Sequence, residues 1–419
     1  MKGIGEMNSM EENKIYKLEE LSKDRGSYGI AASAVPFSNH KYTYLRITDI
    51  NDDGTLKKDN LMSVDEKNAS DFLLKKNDIV FARTGNSTGR SYFYDGSDGE
   101  LVFAGFLIKF SIDENKVNPR ILKYYTHSTV YYSWIRSFDT GGTRGNINAK
   151  TYGEMPIMLP SRKKQDRIVD ILKSFDDKIE LNNRINANLE EQAQALFRRW
   201  FVDFEFPNEE GLPYKSNGGK FVDSELGKIP EGWKIGTLSE IADYLNGLAM
   251  QKFRPKDKEL GIPVLKIKEL GQKSCDSSSD ICSESIKPEY IVNDGDVIFS
   301  WSGTLKIDIW CGGICGLNQH LFKVTSKIYP KWFYYYWTKQ HLNKFIRIAK
   351  DKAVTMGHIK REDLDKSQLS IPNNKNFRTM NNIIGPLLEK QITLNIENRF
   401  LIQLRDAFLP KLMNNEIKI

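Results

Sequence analysis

Cysteine is scarce in this chain. Its 419 residues hold four, Cys275, Cys282, Cys311 and Cys315, all in the second half. So few thiols, behind an acidic opening stretch Met1–Glu12 with no apolar core, predict a reducing, cytoplasmic setting with no secretory leader. None of the four sits in a tight Cys-x-x-Cys turn, so free thiols are expected and a zinc site is not. The five histidines are scattered and form no catalytic or ligating motif; His320 reads as a core hydrogen-bonding residue. Long apolar runs are missing as well. The most apolar one, Leu101–Phe110, is far too short to span a bilayer. The charge imbalance is only +6, which permits an anionic partner without requiring one. Gly85 to Ser91 superficially looks like a phosphate cradle, but it is one residue short between glycines and has Arg90 in place of the lysine, so no nucleotide or other cofactor is expected.

What remains is ordinary globular material, 40% hydrophobic and 28% charged, long enough for two or three domains. Its most regular stretch runs from Arg167 to Trp200. Ile168, Leu172, Phe175, Ile179, Asn182, Asn186, Leu189, Ala193, Leu196 and Trp200 follow at alternating steps of four and three, the a/d seam of a coiled coil with two asparagines in it. Such a seam needs a partner.

The rest of the chain supplies one by repeating itself. Tyr44–Ile47 matches Val264–Ile267. Asp78-Ile79-Val80-Phe81 matches Asp296-Val297-Ile298-Phe299 at an offset of 218, as Gly85 matches Gly303. Pro119, Tyr124, Tyr125, Ile135 and Arg136 match Pro330, Tyr335, Tyr336, Ile346 and Arg347; Thr143, Gly145 and Ile147 match Thr355, Gly357 and Ile359; Leu159-Pro160 matches Ile371-Pro372. A single helix is predicted from Pro119 to about Phe138, opened by a proline where a missing N–H costs nothing. Ile179, Leu181, Asn182, Leu189 and Leu196 match Ile392, Leu394, Asn395, Ile402 and Leu409, so a second long helix is expected from about Phe377 to Asn414, antiparallel to the first. Leu388, Ile392, Asn395, Ile402 and Leu409 form its side of the seam, with Asn182 and Asn395 as equivalent register-fixing residues. Phe206-Pro207, Gly211, Pro213, Asn217-Gly218-Gly219 and Pro230-Glu231-Gly232 mark a linker between the copies. The fold class is α+β: residues 1–160 and 205–372 form two pseudo-repeated α/β domains, the second including the linker. The helices at 161–204 and 373–419 join them as an antiparallel coiled-coil pair.

At this point the chain resembles the specificity subunits of type I restriction-modification systems. The resemblance is carried by Lys228-Ile229-Pro230-Glu231-Gly232-Trp233, by the Asp-Ile-Val-Phe and Asp-Val-Ile-Phe strands, by Leu159-Pro160 and Ile371-Pro372, and by Leu196–Phe204. The first domain departs from it by starting near Ile15 without the Pro-Glu-Gly-Trp lead-in. The resemblance implies a non-catalytic chain. Each globular domain would be a target-recognition domain for half of a split double-stranded DNA sequence, and the helices would be spacer and platform for two adenine-N6 methyltransferase subunits. Restriction subunits with ATP-dependent helicase and nuclease activity would join them, with no role for a membrane. The residues agree as far as they go, since the Asn/Asp-Pro-Pro-aromatic segment of an adenine methyltransferase is missing. The alternatives are a stand-alone nuclease or methyltransferase of unrecognised fold, and a coiled-coil scaffold that binds only protein.

Reading DNA needs donors for phosphate and planar polar groups for base edges, carried on loops. Arg83, Thr84, Asn86, Ser87 and Arg90, with Arg144 and Asn146 further on, offer these in the first domain. Ser300, Trp301, Ser302, Thr304 and Lys306, with His358 and Lys360, stand in the matching loops of the second.

Overall fold

A computed structural model describes residues 13–139, 145–256, 258–351, 357–413, 416, 417 and 419. The chain divides into two compact units, Met1–Asp177 with Ile402–Ile419, and Lys178–Leu401. Each long helix contributes one part to each unit.

In the first unit, Lys14–Lys17 pairs antiparallel with Pro156–Leu159, bringing the domain's start beside its end. An antiparallel sheet runs in the order Ser27–Tyr28, Leu107–Ser111, Asp78–Ala82, Ser91–Tyr94. A second sheet runs Ala34–Pro36, Met62–Val64, Thr43–Leu45, Leu101–Phe103, its last pair parallel. The strand Asp78–Ala82 is buried throughout because both of its faces are covered, and a strand buried on both faces reads as a continuous apolar run. Ile79 and Phe81 join the cluster formed with the helices; Val80 and Ala82 join the cluster under the second sheet. Asp78 fixes how this strand begins. Its carboxylate accepts from the Lys75 N–H at 2.8 Å and from the Ser111 hydroxyl at 2.7 Å, and burial pushes its pKa up.

The second unit repeats the plan. Lys234–Thr237 pairs with Gln368–Ile371, and one sheet runs Asp243–Asn246, Leu321–Thr325, Val297–Ser300, Lys306–Ile309. Val264–Leu265 again lies parallel to a strand, Cys315–Leu317. Asp296 accepts from the Asn293 N–H at 2.9 Å, as Asp78 does from Lys75. Gly85 and Gly303 both have positive φ, +68° and +65°, the reason glycine recurs after this strand. The Pro-Glu-Gly-Trp lead-in ends on a core anchor. Trp233 stacks on Phe206 at 4.9 Å between centroids and tilts against Phe201 at 5.7 Å. The linker is more ordered than its turn residues suggest, because Phe221–Ser224 and Gly227–Pro230 form a hairpin.

The helix expected over Pro119–Phe138 is two helices, Pro119–Tyr125 and Thr129–Arg136. Ser128 caps the second by accepting from the Tyr131 N–H, and the His127 Nδ1 spends itself on the Lys123 carbonyl at 2.7 Å. The second unit has one uninterrupted helix here, Lys331–Asp351.

The first long helix spans Arg162–Phe201 and the second Asn374–Met413. They pair antiparallel within each unit. In the first, Phe175 stacks on Phe408 at 6.0 Å and Asp176 meets Arg405 at 2.9 Å. Ile168, Leu172 and Leu409 are buried in the same cluster. In the second, Asn182, Asn183, Asn186, Asn395 and Asn398 form a polar layer between the helices. Leu388 and Ile392 are buried, Leu196 is partly buried, and all three pack on that unit's globular core. Ile179, Leu189 and Asn395 are half-buried.

Across the pair Asn182 faces Asn398, and Asn395 is paired with Asn186. Of the residues expected in the seam, Ile402 is 38% exposed. The helices do not bury a stripe on each other alone: Ala193, Phe197, Trp200 and Phe201 enter the core of the second unit, where Phe197 and Phe201 meet Trp337 edge-on. A face shared with a globular domain is wider than an a/d stripe, so a strict heptad assignment drifts along it.

Candidate nucleic-acid interface

At one end of the first unit's central sheet, four chain segments meet. The strand Asp78–Ala82 delivers Arg83, whose N–H donates to the Phe106 carbonyl at 3.1 Å and whose carbonyl accepts from the Ile147 N–H at 3.0 Å. These two backbone bonds join the loop after the strand to the turn at Gly105 and to the loop at 145–148. The Arg83 guanidinium lies 5.0 Å over the Tyr28 ring, and its Nε points to the Asn146 Oδ1 at 3.4 Å. Tyr28 is held in turn, since its hydroxyl accepts from the Ala149 N–H at 3.1 Å.

The second unit builds the same end from different side chains. The Trp301 N–H donates to the His320 carbonyl at 3.4 Å, and its carbonyl accepts from the Ile359 N–H at 3.1 Å. Gly303 donates to the Gly357 carbonyl at 3.1 Å, and Ser302 bridges His358 across the two loops. The Trp301 indole N–H donates to Asn246 Oδ1 at 2.9 Å, and its ring lies 6.0 Å from His320 and 6.3 Å from His358. The Ser302 hydroxyl meets the Nδ1 of His320 at 3.0 Å, and Gln319 approaches the other ring nitrogen at 3.3 Å.

The residues singled out from sequence therefore separate. Arg83 and Asn146 come together, as do Trp301, Ser302 and His358, and Thr84 is half-buried beside Arg83. Asn86, Thr304 and Lys360 are exposed, Lys360 at the start of the helix Arg361–Asp365, where its N–H donates to Asp363 at 2.8 Å. Arg144 lies outside the described residues. Ser300 is a correction: it has no exposed surface and donates to the Ser302 carbonyl at 3.1 Å, so it shapes the loop from inside. Ser87 and the Ser302 hydroxyl are buried too. Arg90 and Lys306 carry charges already answered within the protein. Arg90 pairs with Asp52 at 2.6 Å and donates to the Ile50 carbonyl, while Lys306 pairs with Asp308 at 3.0 Å.

Three participants went unnoticed in the sequence, Tyr28, Phe106 and Asn246, while His320, expected as a core hydrogen-bonding residue, is half-buried and meets the Ser302 hydroxyl. The repeat held the signal. Tyr28 and Asn246 stand 218 residues apart, the offset that relates Arg83 to Trp301. Each precedes a glycine that tolerates no side chain. A Cβ on Gly29 would lie 2.2 Å from the Phe103 carbonyl oxygen, and one on Gly247 would lie 2.2 Å from that of Asn318.

Elsewhere, the Cys275 and Cys315 sulfurs approach to 3.4 Å as free thiols, and burial pushes the Cys282 and Cys311 thiols up to about 11. Among the described residues, no three histidine, cysteine or carboxylate side chains gather to hold a metal, and no helix is long and apolar enough to cross a membrane.

Comparison with known proteins completes this picture. The chain is 27% identical over 315 residues to the type I restriction enzyme MjaIX specificity subunit of Methanocaldococcus jannaschii, covering 74% of this chain and 71% of that one. It is 23% identical over 404 residues to the HindI specificity subunit of Haemophilus influenzae, covering 82% and 87%. The crystal structure of the type I restriction-modification S subunit from M. genitalium superposes with a TM-score of 0.53 at 14% identity over 97% of both chains, a likeness of fold. The model of the type I restriction modification DNA specificity domain matches twice, at residues 10–191 and 230–401, and the chain belongs to that family.

Proposed function

We propose that this chain reads a two-part sequence in double-stranded DNA, one part with each unit, and itself catalyses nothing. One observation carries the reading: the same backbone frame, Arg83 to Ile147 and Trp301 to Ile359, is built twice and carries different side chains. A frame kept constant with its contents varied suits two readers of unlike half-sites. Arg83, Thr84, Asn86, Arg144 and Asn146 serve the first half-site; Trp301, Thr304, His358 and Lys360 serve the second. Phosphate contacts position such a protein and base-edge contacts give it specificity. The long helices act as the spacer between readers and as the docking platform for two methyltransferase subunits, with restriction subunits joining them.

The test exchanges Asn39 to Leu159 for the corresponding segment of another family member, in cells that hold the methyltransferase, followed by mapping of methylated sites. One half of the methylated sequence should change while the other stays. Movement of both halves, or sequence-specific methylation without this chain, overturns the proposal.

A further inference from the structure

The two frames differ in kind at one pair of equivalent positions. In the first unit a forked cation, Arg83, rests on an aromatic face, Tyr28. In the second, an indole, Trp301, is tied by its N–H to an amide, Asn246. Building on the DNA-reading function, we propose that Arg83 is the specificity-determining side chain of the first unit and that it reads one guanine, while Tyr28 is its positioning residue.

The geometry carries this in three steps. The Arg83 backbone is fixed on both sides by hydrogen bonds to Phe106 and Ile147, so the root of its side chain does not wander. The guanidinium carbon then rests over the Tyr28 ring, 5.0 Å from its centroid. Tyr28 cannot shift easily, because its hydroxyl accepts from Ala149 and the next residue, Gly29, lies against the backbone at Phe103 and Ala104. Asn146 takes up the Nε, and among the described residues no hydrogen bond holds the two terminal nitrogens, which form the open edge of the fork. Two parallel N–H donors match the O6 and N7 acceptors that guanine shows in the major groove, and no other base offers that pair. An arginine already laid on an aromatic loses less freedom on binding than a free one. Phe106, whose carbonyl holds the Arg83 N–H, is 60% exposed. Trp301 has one donor, already committed to Asn246, so the second unit lacks a forked reader at this position.

The experiment uses the full chain with its methyltransferase subunits. The wild-type target is first defined by methylome mapping. Binding is then measured on duplexes that vary each base pair of the first half-site, and on duplexes with 7-deazaguanine, which lacks N7, at each guanine. Arg83→Lys keeps the charge and removes the fork. It should lose roughly tenfold to a hundredfold of discrimination at one G·C pair and leave the second half-site untouched. 7-Deazaguanine at that position should weaken wild-type binding and have no further effect on Arg83→Lys. Tyr28→Leu should give a weaker loss at the same base pair, and Tyr28→Trp, which restores an aromatic platform, should recover part of it. Thermal unfolding of each variant, matched to wild type, separates these effects from misfolding. Undiminished discrimination in Arg83→Lys overturns the proposal, as does weakening spread evenly over all sequences, the mark of a phosphate contact. Absence of any sequence preference in the wild-type complex would instead overturn the DNA-reading function beneath it.

Discussion

Asn182 on the first long helix donates its amide to Asn398 on the second at 2.9 Å. A further 2.9 Å contact reaches Glu397 from the same nitrogen. Asn398 passes its own amide on to Asn183 at 2.8 Å. The Oδ1 of Asn182 is buried with no hydrogen-bond partner among the described residues. A polar layer of this kind costs stability and fixes which residues face each other. Truncating one member strands the others, so Asn182→Ala should lower the unfolding free energy by about 1–3 kcal/mol. Replacing both Asn182 and Asn398 by leucine should recover that loss. Urea unfolding of the single and double variants measures it, and additive effects would show that the pair does not interact.

Asp176 gathers Lys123 at 2.7 Å, Tyr124 at 3.0 Å and Arg405 at 2.9 Å. Burial pushes its carboxyl up, but the two cations outweigh this and hold it below the ordinary range. A carboxylate depressed in the folded state contributes stability that is present above its unfolded pKa and is lost as pH falls through the folded one. Asp176→Asn should therefore cost about 2 kcal/mol near neutrality and flatten the fall in Tm below pH 4. An unchanged acid limb in the variant would assign the acid sensitivity to other carboxylates.

His341 behaves in the opposite chemical sense. Burial, helped by Lys344, lowers its pKa to about 4, while a hydrogen bond to the Gln368 carbonyl at 3.1 Å resists. Between about pH 6.5 and 4 the unfolded chain takes up a proton that the folded chain refuses, so stability falls as pH drops through that window. His341→Gln, which keeps a donor, should remove this part of the slope. The check is calorimetric Tm at pH 7 and pH 5, where the wild type should lose more than the variant.

Sequence alone disclosed the duplication because its landmarks have local causes. Asp78 and Asp296 lock the turn into a strand buried on both faces, and Gly85 and Gly303 answer a left-handed backbone. Those demands fall on single residue types and leave a visible mark. The break at Thr126–Ser128 does not, because it depends on a serine cap and on a histidine whose partner is set by folding. The helix seam was legible as a period, but the share of it that a globular core covers was not: Ile392 packs into that core while Ile402 is 38% exposed. Tyr28 and Asn246 were hidden because each closes a short strand with no pattern of its own. Only tertiary pairing reveals what they hold.

Gly29 gives the last prediction. Tyr28 owes its position to a chain that passes so close to the backbone at Phe103 and Ala104 that a methyl group has no room; the nearest carbonyl oxygens would stand at 2.2 and 2.3 Å. The obstacle is backbone, which cannot rotate away as a side chain would. Gly29→Ala should therefore displace the Ser27–Tyr28 strand and cost about 1–3 kcal/mol, the usual penalty for overpacking. Displacing that strand also moves the ring from beneath Arg83. The expected outcome is lower stability together with weaker reading of the first half-site, while the second half-site stays at its wild-type level. Gly247→Ala meets the Asn318 and Leu317 carbonyls at 2.2 and 2.4 Å and should produce the mirror result. Binding of each variant to duplexes altered in one half-site at a time checks both. If either substitution weakened the two half-sites equally, the loss would be global unfolding, and local placement of Tyr28 and Asn246 would not explain it.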